Sequence, residues 1–88
     1  MPNDSQILVL GSRALVSGAV IKVVRRTDAL RLVVEENGFR AYANFKDDVF
    51  KANKIRKGSH VKLCGIVTSL GTSAVCLSGC KIVEKAVT

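Results

Sequence analysis

Apolar and polar residues alternate along most of the chain, which is the period-two pattern of β-strands. Residues 30–35 and 39–45 both follow this pattern, and Asn37-Gly38 lies between them. An Asn-Gly pair between two alternating segments is the strongest short signal for a β-hairpin. We therefore predict a hairpin that buries one of its faces and exposes the other.

Three further strands and one helix complete the pattern. Residues 13–26 form a long apolar segment that contains Gly18, and a glycine inside a strand favours a bulge or a sharp coil, so that one strand serves both halves of a barrel. Residues 59–69 and 73–83 predict two more strands joined by a tight turn. Residues 47–54 instead have helical spacing and begin with two carboxylates, which favour a helix start.

The predicted order is therefore three strands, a short helix and two strands. This is the order of the oligonucleotide/oligosaccharide-binding (OB) fold, so we predict an all-β, five-stranded OB-fold Greek-key barrel with a short helix between strands 3 and 4. Residues 13–84 would form this domain. Residues 1–12 would be a lead-in, either a short helix or an extra edge strand, and residues 85–88 would be a tail.

The charge balance narrows the choice of partner. The 88 residues include 14 lysines and arginines against 7 aspartates and glutamates, which gives a net charge of +7. A small domain this basic favours an anionic partner, and nucleic acid is the commonest one. The alternative is that the charge only keeps an apolar protein in solution.

The cysteine count and the short apolar run near the N-terminus help to predict the cellular compartment. Three cysteines are an odd number, which argues against a disulfide-stapled secreted domain. The apolar run at residues 7–10 has no basic segment before it and is far too short to cross a bilayer. We expect a cytoplasmic protein with no membrane partner.

Glycines and apolar residues recur at set spacings from about Leu15 to Val83: Val16-x-Gly18-x-Val20, Leu30-x-Leu32, Ala41-x-Ala43-x-Phe45, Ile55-x-Lys57-Gly58-x-x-Val61-x-Leu63-x-Gly65-x-Val67 and Val75-x-Leu77-x-x-Cys80-x-Ile82. This pattern resembles the tRNA_anti-like OB-fold domains, which are found in small bacterial, phage and plasmid proteins. The resemblance implies the same barrel and, as a default, nucleic-acid binding. The motifs are mostly structural, so they specify the barrel more closely than the ligand.

An OB barrel binds on the face of its second and third strands and on the flanking loops. Arginines there pair with phosphates, Tyr42 offers a stacking surface and Asn44 offers hydrogen bonds to a base edge. Because Arg31, Arg40 and Tyr42 belong to one hairpin, we expect them to cluster. The alternative is an ordinary solvated strand face. Val33 is a further outward position of this face. The predicted nucleic-acid-binding residues, with three cations beside the face, are Lys22, Arg25, Arg26, Arg31, Arg40, Tyr42 and Asn44.

Two other groups of residues leave room for interpretation. The densest run of positive charge is either a solvated face or a phosphate track around the end of the barrel, and it consists of Lys51, Lys54, Arg56 and Lys57. The phenylalanines could stack on bases, but the alternation puts two of them opposite Tyr42, so we predict that Phe39, Phe45 and Phe50 pack in the core.

The cysteines and the histidine do not predict a metal centre. Cys76 and Cys80 have an even spacing that favours one strand face, with Cys64 near the same hairpin. A zinc site normally takes four ligands, and His60 is the only histidine available. We predict no metal and no cofactor, with the thiols reduced and buried. No catalytic triad spacing and no glycine-rich phosphate loop occurs, so we expect no enzyme.

Two functions follow from these residues. The first is a non-catalytic nucleic-acid-binding module that favours single strands, either DNA or RNA, with little dependence on sequence. The second is a protein-interaction module, as a homo-oligomer or as an accessory subunit of a larger complex. The low aromatic content and the apolar segment at residues 7–10 favour the second.

Overall fold

The computed structural model describes residues 8–46 and 55–86, and this part of the chain forms a closed barrel of five β-strands. The strands are β1 (Arg13–Arg25), β2 (Leu30–Glu36), β3 (Phe39–Phe45), β4 (His60–Leu70) and β5 (Ala74–Ala86). Apart from the end of β5, each strand begins and ends within one residue of its predicted segment. The predicted helix lies outside the described residues, together with Lys51, Lys54 and Phe50.

The strand order around the barrel is β1-β2-β3-β5-β4, and β4 pairs with β1 to close it. All neighbours are antiparallel except β3 and β5, which are parallel. This all-β closed barrel is consistent with an OB-like architecture. The first part of β1 pairs with β4 as far as Ala19 and His60, and the part from Ala19 onward pairs with β2. One long strand therefore serves both halves of the barrel, as predicted.

Of the two alternatives predicted for Gly18, a bulge or a sharp coil, the bulge is not found at Gly18 itself. The register with β2 shifts between Val20 and Lys22, so Ile21 is the extra residue. Gly18 is required for a different reason, because a Cβ atom there would lie 2.6 Å from the backbone oxygen of Glu35. The glycine allows β2 to cross closely over β1 at the point where β1 changes partner.

Inward-facing residues of all five strands form one apolar core. Phe45 is fully buried, and Phe39 packs against the same cluster, which confirms the prediction for both. Asn37 and Gly38 both have positive φ, at 54° and 81°, as a two-residue type I′ hairpin turn requires. The largest fully buried side chains are Phe45, Leu30, Leu32, Ile55, Leu63 and Leu77.

The two ends of the described chain differ from the predictions. Residues 8–12 form neither a helix nor a strand but a turn, in which the backbone nitrogen and hydroxyl of Ser12 both donate to the Val9 oxygen, at 3.1 and 2.7 Å. At the other end β5 continues into the predicted tail and pairs Ala86 with His60. The described residues contain no helix that is long and apolar enough to span a bilayer.

Cys76 and Cys80 do not share a strand face, contrary to the even spacing. Gly79 lies between them with φ at 59°, and β5 carries an extra residue opposite Gly65. This bulge turns Cys80 into the core, while Cys76 remains half-buried on the outside. Cys64 is half-buried as well, so only Cys80 of the three is fully enclosed.

Candidate nucleic-acid interface

The predicted hairpin residues lie on one face, the outer face of β2 and β3. Arg31 pairs with Asn44, Val33 with Tyr42, and Glu35 with Arg40. Arg31 and Arg40 are therefore four residues apart along the hairpin, or about 13 Å at the rise of a strand. They share one face of the hairpin, in a row with Tyr42 between them.

Arg40 is already engaged by a neighbouring carboxylate. Its Nε donates to Oε2 of Glu35 at 3.0 Å. Hydrogen bonds to Glu35 and, to a smaller extent, Tyr42 raise the pKa of the Arg40 guanidinium. A phosphate at this end of the hairpin would meet a cation whose charge is partly offset. The sequence analysis missed Glu35 as a partner, although its place opposite Arg40 follows from the hairpin register.

Both polar atoms of the Asn44 side-chain amide form hydrogen bonds within the barrel wall. Its oxygen accepts from Nε of Arg31 at 2.9 Å, and its nitrogen donates to the Leu77 backbone oxygen at 3.0 Å. These bonds join β2, β3 and β5. A base edge would have to compete for them, so base recognition by Asn44 remains a prediction that its present contacts do not favour.

Val33 points outward as predicted, yet it is only 5% exposed. Its neighbours across the sheet are Tyr42 on β3 and Lys22 on β1, and both face the same side. The long side chains on either side account for its burial. Tyr42 is itself half-buried, and Cys76 lies beside it on β5. The middle of the outer face is thus an apolar strip with a tyrosine at its centre.

A concentration of positive charge lies beside this face, in a cavity of about 350 Å³. Lys22 and Arg25 come from β1, and Arg56 and Lys57 come from the turn before β4. Ile21 and Val23 complete the lining, and none of the six residues carries a carboxylate. We call this cavity the basic cleft. It unites two groups of cations that the sequence analysis treated separately.

Backbone hydrogen bonds explain where the basic cleft forms. Pairing of β1 with β4 ends at Ala19, and the next residue, Val20, instead bonds to the turn before β4. Val20 donates to the Ser59 oxygen and accepts from the Gly58 nitrogen, both at 2.8 Å. Beyond these bonds the second half of β1 borders the cleft. Lys22 lies opposite Val33 and therefore also belongs to the outer face.

Two further cations, Arg26 and Lys46, lie close to the basic cleft and the outer face. Arg26 is exposed in the β1–β2 turn, where its backbone nitrogen donates to the Ala29 oxygen at 2.9 Å. Lys46, which the sequence analysis missed, follows β3 and lines a second cavity of about 260 Å³ together with Asp28 and Asn44. No sequence motif marks Lys46, because its position depends on how the β1–β2 turn folds against β3 and β5.

A third cavity on another part of the barrel has mixed charge. His60 and Lys62 line it together with Glu36 and Glu84, in a volume of about 190 Å³. Among the described residues, no group of three or more histidines, cysteines or acidic residues is placed to hold a metal ion. Among the described residues, the basic cleft thus differs from this cavity in being lined by cations and by no carboxylate.

Comparison of the chain with known proteins found no matching family model, no matching curated protein and no matching solved structure. The resemblance to tRNA_anti-like OB domains therefore stays a prediction. Any function must be argued from the residues and the geometry of the barrel itself.

Proposed function

We propose that this barrel is a non-catalytic nucleic-acid-binding module of the OB type, which favours single strands and reads little sequence. The observation that carries the proposal is the basic cleft, where four cations from two distant segments meet and none of the described lining residues carries a carboxylate. Lysine and arginine side chains bind phosphates and release the counterions around them, which drives binding that does not depend on sequence.

The outer face of β2 and β3 supports the preference for single strands. Lys22 links the basic cleft to this face, and Tyr42 lies at the centre of its apolar strip. Bases of a single strand are free to stack on an aromatic ring, whereas bases in a duplex are not. Asn44 and Arg31 bond to each other, which leaves few groups to read base edges and fits weak dependence on sequence.

Fluorescence anisotropy with single- and double-stranded DNA and RNA at two salt concentrations tests this function. The wild-type protein should bind single strands more tightly, and its affinity should fall steeply with salt. A triple variant of the cleft, Lys22→Gln with Arg56→Gln and Lys57→Gln, should lose three phosphate contacts. The slope of log affinity against log salt concentration should then become shallower by about 2.

A matched triple variant provides the control. Arg13→Gln with Lys62→Gln and Lys81→Gln also removes one arginine and two lysines, but from β1, β4 and β5 outside the cleft. The salt slope of this control should stay closer to the wild-type slope than that of the cleft variant does. Equal losses in both variants would mean that net charge, and not the cleft, determines the binding. Absence of any salt-sensitive binding by the wild type would contradict the proposed function.

The alternative function, protein interaction, is supported by large apolar side chains on the surface. Leu15 and Val83 are 44% and 55% exposed, and Val9, Leu10 and Leu70 are exposed as well. Exposed apolar groups of this size favour association with another protein or a second copy. Light scattering separates the two, because a stable oligomer that binds no oligonucleotide would favour the alternative.

A further inference from the structure

We infer that the cavity lined by Asp28 and Lys46 takes one guanine base of the bound strand, so that the barrel prefers guanine at a single position. This inference rests on the proposed function and adds the base that the strand presents there. It is carried by the wall of the cavity, by its two charged groups and by its place beside the outer face. We call it the Asp28–Lys46 cavity.

The wall of the Asp28–Lys46 cavity suits a base better than a phosphate. Most of the accessible wall is apolar, and Ala29 is among its lining residues. The volume of about 260 Å³ lies just below the range for sites that hold whole small molecules. A phosphate would meet the negative charge of Asp28 there. A base instead has apolar faces and carries its hydrogen-bonding groups only at its edges, as this wall requires.

The two charged groups select among the bases. Asp28 offers a carboxylate with two acceptor oxygens, and Lys46 offers an ammonium group that donates. Within the described part of the chain, these two groups form no ion pair with each other. The Watson–Crick edges of an unpaired strand are open to such groups. Guanine alone presents two neighbouring N–H donors beside a carbonyl acceptor on that edge, so a carboxylate with an ammonium group matches guanine at more atoms than any other base.

The place of the cavity fits a strand that crosses the outer face. Asn44 lines the cavity and lies on the same side of β3 as Tyr42, two residues away, or about 7 Å at the rise of a strand. Arg31 lies opposite Asn44 on β2 and carries the positive charge nearest to both. A base on the Tyr42 ring and a base in the cavity can thus belong to one short stretch of strand. Preference at this one position leaves the rest of the strand unread.

The test uses a short oligothymidine with a terminal fluorophore, in which one central base is guanine, hypoxanthine, adenine or thymine. A single guanine forms neither a quadruplex nor a self-paired duplex. The wild-type protein should bind the guanine form about tenfold more tightly than the adenine and thymine forms, as expected for one bidentate contact to a base. The hypoxanthine form should fall between them, because hypoxanthine lacks the exocyclic amino group of guanine.

The variant Asp28→Asn should bind all the forms alike, because a carboxamide has one acceptor oxygen and cannot accept from both N–H groups of guanine. Asparagine is as common in turns as aspartate, so the β1–β2 turn should still form. The measured quantity is the ratio of affinities, which a general gain from the lost negative charge leaves unchanged. The matched control, Glu84→Gln, changes the net charge equally outside the cavity and should keep the wild-type ratio.

The outcomes separate this inference from the proposed function. Equal, salt-sensitive binding of all the forms by the wild type would overturn the guanine site while leaving nucleic-acid binding intact. Absence of binding to any form would overturn both. A preference that survives in Asp28→Asn, or that is lost in Glu84→Gln as well, would overturn the assignment to this cavity. Competition by guanosine monophosphate at the concentration of the oligonucleotide would overturn the strand as the source of the base, and competition only at far higher concentration would support it.

Discussion

At the scale of single residues, two glycines mark places where strands approach too closely for a side chain. A Cβ atom on Gly18 would lie 2.6 Å from the Glu35 oxygen and 2.9 Å from Val34 Cγ1. A Cβ atom on Gly65 would lie 2.6 Å from the sulfur of Cys80. Both contacts are far inside van der Waals distance, so the barrel can close at these positions only with glycine.

We predict that Gly18→Ala destabilises the barrel strongly, because the new methyl group meets the backbone of β2. The expected loss in the free energy of unfolding is about 2–3 kcal/mol, which is typical of an overpacked core. Urea unfolding measures it. Gly71→Ala is the control, since its Cβ atom would come no closer than 3.4 Å to the Ala74 oxygen. Similar losses in both variants would contradict the role of close approach at Gly18.

A second prediction at this scale concerns the Glu35 carboxylate that holds Arg40. Glu35→Gln removes the negative charge from the outer face and releases the guanidinium, so affinity for a single-stranded oligonucleotide should rise about twofold to fivefold. Glu84→Gln changes the net charge equally but lies opposite Lys62 on β4. Anisotropy should show a smaller rise for this control. A weaker affinity of Glu35→Gln than of wild type would contradict the proposed interface.

At the scale of elements, the strands could be predicted from the sequence because their pattern is local. Alternation at residues 39–45 fixes which side of the strand is apolar, and Asn37-Gly38 fixes the turn and hence the register. The pairing of Arg40 with Glu35 follows from that register. The bulge at Ile21 could not be predicted, because it depends on where β1 exchanges β4 for β2.

The basic cleft could not be predicted for a similar reason. Its cations lie in residues 21–25 and 56–57, and nothing in either segment indicates that the two meet. They meet because Val20 bonds to the turn that precedes β4. The sequence therefore predicts the charge of the site, and tertiary structure determines where that charge is concentrated.

We predict that Asn44 stabilises the junction of β2, β3 and β5 rather than reading bases. Asn44→Ala loses both bonds of the amide and should lower the free energy of unfolding by about 1–2 kcal/mol. Arg31→Ala removes only the more exposed bond and should cost less. The ratio of affinities for oligo-dA and oligo-dT should be unchanged in Asn44→Ala, and a clear change in that ratio would identify Asn44 as a base-reading residue.

At the scale of the whole molecule, stability should depend on pH through a buried thiol. Burial raises the pKa of Cys80 to about 12, whereas an exposed thiol ionises near 8.5. Below the exposed value the thiol is protonated in both states, so its contribution to stability is fully present there. As the pH rises towards 12 only the unfolded chain ionises, and the free energy of unfolding should fall.

The variant Cys80→Ala tests this dependence. It lacks the thiol, so the decline in its free energy of unfolding between about pH 9 and pH 12 should be shallower than that of wild type. Urea unfolding at several pH values gives both curves. Parallel curves would show that Cys80 does not cause the decline.

The central claim for the whole molecule is that nucleic acid docks on the basic cleft and the adjoining outer face. Titration of the ¹⁵N-labelled protein with a single-stranded oligonucleotide at low salt, followed by amide NMR, tests it most directly. We predict that the largest shifts occur at Ile21 to Arg25, at Arg56 to Gly58 and around Tyr42. Shifts confined to residues 62–66 and 81–83, or no shifts at all, would contradict the claim.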